Sequence, residues 1–185
     1  MVRYLASVIT ALLLIPALLL MASANAQAAE KIAAFPFAII DATKSSGPMG
    51  YDLGGGLPTG PNKDELRRLK LISDDLVRRI AEDGRYELVA SDKIDAEVQK
   101  SGPIHECNGC EDELAKRLGA DLALIATVEK LSDLLFNFNL YLRDVSQQKV
   151  TSIMSTTVQG SNDEAWLRGV RYLAERKLLQ PGDAK

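Results

Sequence analysis

The sequence is poor in the residue types on which most catalytic and metal chemistry depends. Among 185 residues there are one histidine, two cysteines and one tryptophan, and aromatics make up 5%. A closed structural zinc site takes four ligands, and no second cysteine or histidine pair exists to complete one. Serine-type catalysis would have to recruit His105, and no Gly-x-Ser-x-Gly elbow accompanies it. The bases are also too scattered for a nucleic-acid surface. Lysines and arginines number 22 against 25 acids, interspersed with them, and no basic patch with interleaved aromatics occurs. No apolar run long enough to cross a bilayer follows residue 21.

What is present begins with the amino terminus. Arg3 precedes an apolar stretch, residues 5–21, and small-residue patterns follow at Ala22-Ser23-Ala24, Ala24-Asn25-Ala26 and Ala26-Gln27-Ala28. This is the layout of a secretory signal peptide. The stretch is shorter than the ~20 residues of a membrane span, and Pro16 interrupts it. The expectation is a signal peptide at 1–26, cleaved after Ala26, with release into the periplasm and no stable membrane span. No cysteine stands near the junction to carry a lipid. Loss of Arg3 leaves the mature chain one charge more negative than the −3 of the full sequence. Residues 27–185 have the length of a single domain that forms a core without staples.

Within that domain, residues 32–40 form a nearly unbroken apolar run, as in a strand covered on both faces. Pro36 lies inside it and cannot donate to a ladder, so a bulge or a strand end is expected there. Residues 42–61 are rich in glycine and proline and read as a long loop. Asn62 and Glu65 then open a helix carrying Leu66, Leu69, Ile72, Leu76 and Ile80 at helical spacing, closed by Gly84. A short strand at 86–90, a helix to Gln99 and a helix over 111–118 follow. Residues 121–128 form a second apolar strand. From Leu134 the pattern alternates strictly: Leu134, Phe136, Phe138, Leu140 and Leu142 face one way, and Leu135, Asn137, Asn139, Tyr141 and Arg143 the other. Residues 149–159 are rich in Thr, Val and Ile and pair with that strand as a hairpin. A last helix starts at Ser161 or Asn162, with Leu167, Val170, Ala174 and Leu178 as its stripe. The fold class is therefore α/β: a single domain with a mixed sheet of about five strands flanked by helices, in the order β-α-β-α-α-β-β-β-α.

Four features invite a chemical reading. Cys107-Asn108-Gly109-Cys110 lets both sulfurs meet, and in an exported protein a structural disulfide is the first expectation. The alternative is a periplasmic thiol-redox or metal-handling protein. A helix amino terminus at Glu111 would favour a thiolate, while Glu106, Glu111, Asp112 and Glu113 oppose one. His105 with Cys107 and Cys110 would give a three-ligand N/S₂ set for zinc or cuprous copper. Gly54-Gly55-Gly56 lacks the Gly-Lys-Ser/Thr of a phosphate loop. In a partner-binding loop Tyr51, Leu53 and Leu57 would be the adhesive side chains. Trp166 reads as an anchor of the last helix against the sheet. Asp163 and Glu164, adjacent on a helix, point apart and read as capping acids rather than a catalytic pair. No catalytic residue and no cofactor are assigned.

The segments Ala33-Ala34-Phe35-Pro36-Phe37, Gly84-Arg85-Tyr86-Glu87-Leu88-Val89 and Leu118-Gly119-Ala120-Asp121 resemble a group of envelope proteins. The similarity is to the α/β domain of the amino-terminal part of the translocation protein TolB, the curli secretion lipoprotein, and the lipoprotein activator of penicillin-binding proteins. Within that group, Cys107-Asn108-Gly109-Cys110-Glu111 and the segment from Gly160 through Trp166 to Gly169 resemble a family of short secreted proteobacterial proteins of unknown function. The resemblance implies a non-enzymatic accessory or binding component of the cell envelope, with another envelope protein as its partner.

Overall fold

Proline at position 36 decides how the sheet begins. In the computed structural model, which describes residues 29–42, 60–101, 104 and 109–180, the first apolar run is two strands: β1, Glu30–Ala34, and β2, Ala38–Asp41. Both lie parallel to the same neighbour, β4, Leu122–Lys130. Pro36 removes one ladder donor, and the amide on either side finds its own acceptor. Phe35 N–H donates to the Leu124 carbonyl at 2.9 Å, and Phe37 N–H donates to the Ser73 hydroxyl at 2.9 Å.

Helix α1, Lys63–Asp83, follows. Its start is a reciprocal capping box: Asn62 accepts from the Glu65 amide and the Glu65 carboxylate accepts from the Asn62 amide, each at 2.8 Å. Gly84 ends it in the left-handed conformation, at φ 75°. Strand β3, Tyr86–Leu88, lies parallel to β1 on the side away from β4. Helices α2, Ser91–Ser101, and α3, Cys110–Arg117, lead back to β4. Strands β5, Leu135–Asp144, and β6, Lys149–Gln159, continue antiparallel, and α4, Asp163–Leu173, runs into a π-helical turn, Ala174–Leu178. The sheet order is β3-β1-β4-β5-β6, with β2 extending the β1 position along β4. The order expected from sequence holds, with the first strand split into two.

Each face of the sheet has its own core. On one face Ile32, Leu124, Val128, Phe136, Phe138 and Leu140 pack beneath α1 and α4. On the other, Ala33, Phe35, Ala123 and Ile125 pack against α2 and α3 through Ile94, Leu114 and Ala115. The alternation in β5 is obeyed, with Phe136, Phe138 and Leu140 fully buried. Trp166 is also fully buried, edge-on to Phe136 and Phe138 at ring-centroid separations of 5.1 and 5.4 Å. Such contacts add about 0.5–1.5 kcal/mol each beyond burial. Two expectations for apolar positions fail. Leu134 precedes the strand and is 60% exposed, and Leu66, in the first turns of α1, is 53% exposed. No helix among the described residues is long and apolar enough to cross a membrane.

Candidate functional site

Chain connections on the two faces run in opposite directions from β1. The chain leaves the β1–β2 run through α1, on one face, to reach β3. It returns through α2 and α3, on the other face, to reach β4 on the far side of β1. Open α/β sheets bind ligands at such a switch point, outside the carboxyl ends of the strands. Here that position holds a crevice of about 500 Å³, floored by Ala34 to Phe37 and walled by α1 and by Ile94 and Asp95 of α2.

The walls are mainly apolar. Phe35, Phe37, Leu69, Leu76 and Ile94 are buried, and Leu66 stands at the mouth as an exposed side chain. Most of the polar groups that line it are already engaged. The Ser73 hydroxyl donates to the Leu69 carbonyl at 2.7 Å while accepting from Phe37. Lys70 Nζ is bonded to both Asp74 carboxylate oxygens, at 3.0 and 2.8 Å, and the Asp74 carboxylate keeps that ammonium protonated beyond its ordinary range. Arg78 is held by Glu82 and Asp75. This arrangement suits apolar contact inside an ion-paired rim.

A second polar centre lies at the amino terminus of α3. Arg143 of β5 reaches across the sheet face and donates from Nε to Asp112 at 2.8 Å. Its Nη1 lies 3.5 Å from Glu111, and Nη2 reaches the Gln148 carbonyl at 3.3 Å. Asp112 is 2% exposed, so this is a buried pair. Two of the acids that the sequence sets against a thiolate, Glu111 and Asp112, are thus paired with one arginine. Helix α3 also begins at Cys110 itself, with Gly109 as its left-handed cap at φ 96°. Cys107 lies three positions earlier in the sequence.

His105, Cys107 and the loop residues Tyr51, Leu53 and Leu57 lie outside the described residues, as do most of the loop at 42–61 and the signal segment at 1–26. The proposed N/S₂ ligand set and the Cys107–Cys110 bridge thus each include residues outside the described ones. Asp163 and Glu164 open α4, as capping predicts. Asn162 accepts from the Ala165 amide at 2.8 Å. Asp163 is also gripped by Arg67, at 2.7 Å from both guanidinium nitrogens, and by Arg68 at 3.1 Å. Those arginines hold its carboxyl down at about 2. The indole N–H of Trp166 is buried without a hydrogen-bond partner among the described residues, and Arg68 lies over the ring at 5.9 Å.

Three residues of these centres were not singled out by sequence. Ser73 resembles any polar residue on a helix until Pro36 leaves an amide in need of it. Arg143 appears only as an outward position of β5. Lys130, bonded to the buried Glu65 at 3.0 Å, ties the end of β4 to the cap of α1.

Among solved structures, the chain is similar to the LpoB C-terminal domain from Salmonella enterica, with 14% identity over 76% of this chain and 90% of that one, at a TM-score of 0.48. It is similar to the PelC dodecamer subunit from Paraburkholderia phytofirmans, with 14% identity over 79% of this chain and 86% of that one, at 0.46. The match to TolB from Acinetobacter baumannii covers 79% of this chain and 28% of that one, with 18% identity and a TM-score of 0.38. No curated protein matches the sequence significantly. Residues 30–178 match one family along almost the whole described fold, and the chain belongs to that family, DUF3280, described as "Protein of unknown function (DUF2380)".

Proposed function

We propose that this chain is an exported, periplasmic component of the cell envelope that works by binding another envelope protein rather than by transforming a substrate. The switch-point crevice is its recognition site. The observation that carries this reading is the state of the crevice's polar groups. Ser73 is spent on the backbone, and Lys70 and Arg78 are spent on neighbouring carboxylates. What the site offers an incoming molecule is an apolar floor with room for about two or three large side chains, within the range of ordinary binding clefts. Leu66 at the mouth is the natural first contact, since a large exposed apolar side chain beside an apolar cleft gains from being covered.

A photoreactive amino acid placed at position 66 in the exporting cell tests this. The expected result is a covalent adduct with one envelope protein, recovered from the periplasmic fraction. The adduct should be absent when the probe sits at Glu87, and lost when Val77→Asp charges the crevice wall. Equal adducts from both positions, or an adduct indifferent to Val77→Asp, would refute the crevice as the recognition site. Substrate turnover abolished by Ser73→Ala, with the fold intact, would overturn the binding reading itself.

A further inference from the structure

Strand β6 closes the sheet on the side away from β3, and among the described residues it pairs with β5 alone. It is eleven residues long. Edges of this length are ordinarily blunted by charges, proline, bulges or a covering element. Strand β6 carries such devices only at its beginning: Lys149, and the register irregularity opposite Leu142 and Arg143. From Ser152 to Gln159 it has no charge, no proline and a steady β-forming composition. Ile153, in that stretch, is 66% exposed. Tyr172 of α4, 44% exposed, stands over the same edge in a groove shared with the exposed Arg168 and with Thr156 to Gln159.

We infer that the β6 edge is a seam at which two copies of this chain join antiparallel, making one continuous sheet through a twofold axis near Ser155. Charge selects both the partner and the direction. With Ser155 opposite its own copy, Ile153 meets Thr157 and Ser152 meets Val158, so no like charges face each other along the strand. Beyond the paired stretch, Lys149 of each copy lies level with residue 161 of the other, beside the opening of α4. Lys149 pairs with Asp144 in β5 and so shares the sheet face that α4 covers. The exposed Glu164 in that first turn is thereby brought toward it. The twofold makes this contact twice. A parallel arrangement would instead set Lys149 against Lys149. Pairing would also satisfy the outward backbone groups of β6 and cover Tyr172 on both copies.

Sedimentation analysis of the exported, purified chain over a micromolar concentration series is the test. Three variants accompany it: Ile153→Lys/Thr157→Lys, Lys149→Glu, and Lys149→Glu/Glu164→Lys. The expected result is a monomer–dimer equilibrium that the double lysine variant abolishes while its circular dichroism stays native. Lys149→Glu should weaken the dimer about fivefold, as two exposed ion pairs would, and the charge swap should restore it. A chain monomeric at every concentration would overturn the inference. So would a dimer insensitive to the two lysines, which would use another surface, or a charge swap that fails to rescue, which would exclude this antiparallel register. None of these outcomes bears on the crevice, which lies on the other side of the sheet's centre.

Discussion

Gly169 is the point where α4 comes closest to β6, and substituting it gives a sharp test of how the last helix is seated. A Cβ built there would lie 2.4 Å from Val158 Cγ2 and 3.4 Å from two ring carbons of Phe138. The Phe138 distances are ordinary contacts, whereas 2.4 Å lies far inside the ~3.5–4.0 Å optimum for carbon pairs. Valine is β-branched and stiff at χ1, so it does not swing aside cheaply. Gly169→Ala gains about 1 kcal/mol from helix propensity and loses about 1–3 kcal/mol to overpacking. The net expectation is a destabilisation of about 0–2 kcal/mol. Val158→Ala alone removes two methyls from a site that is 5% exposed, at a cost of about 2 kcal/mol with its cavity. If the two sites were independent the double variant would lose about 2–4 kcal/mol. The geometry requires otherwise: the new Cβ occupies the volume that Cγ2 vacates, so the double variant should be no worse than Val158→Ala. Urea unfolding followed by the fluorescence of Trp166, the only tryptophan and fully buried, reads this directly. A coupling energy below about 0.5 kcal/mol would mean that the close approach does not constrain the helix, and the reasoning would fail.

Two further outcomes follow from the ion pairs. Arg143→Met strands Asp112, 2% exposed, without its guanidinium, and should cost about 3–5 kcal/mol, whereas Arg143→Met with Asp112→Leu should recover most of that; thermal melts of the two variants decide it. Asp163, whose carboxyl Arg67 and Arg68 hold at about 2, contributes stability that is complete above the ordinary aspartate range near 4 and is lost as the pH falls through about 2. Asp163→Asn should therefore flatten the stability curve between about pH 4 and 2, and an unchanged curve in chemical-denaturation titrations would contradict the pairing.

Legibility in the sequence followed the range of the interactions. Helix α1 was readable from end to end because its signals are local: Asn62 and Glu65 cap each other three residues apart, Leu69 to Ile80 keep one spacing, and Gly84 needs only its own φ. Pro36 announced a break in the first strand for an equally local reason. Leu66 belongs to the same periodic stripe as Leu69, yet it is exposed, because periodicity fixes the direction of a side chain but not whether the sheet extends beneath it. The crevice was illegible for that reason, since it depends on α1 and α2 lying on opposite faces of the sheet. Arg143 was correctly placed on the face opposite Phe138, but its partner Asp112 lies 31 residues earlier in the chain. Only the return of α3 over that face brings them together. Ser73 needed both halves of the problem, a break at Pro36 and a helix passing above it.

The cysteine motif is where sequence and geometry bear on each other most closely. An exchange-active pair needs a thiolate stabilised by helix amides or a nearby cation, and access to a partner. Helix α3 starts at Cys110, and its first-turn acids already use the amide end: the Gly109 amide donates to Glu111 at 3.1 Å. Arg143, which reaches that end from β5, is committed to Asp112 and Glu111. Both considerations favour a bridge between Cys107 and Cys110 that closes the turn before α3. Redox titration of the exported protein should then give a potential below about −300 mV, in the range of structural disulfides. Arg143→Gln should shift it little, because the guanidinium serves the carboxylates and not the sulfurs. A potential between about −270 and −120 mV that moves with Arg143→Gln would show that the arginine poises a reactive thiol, and it would return the exchange chemistry to first place.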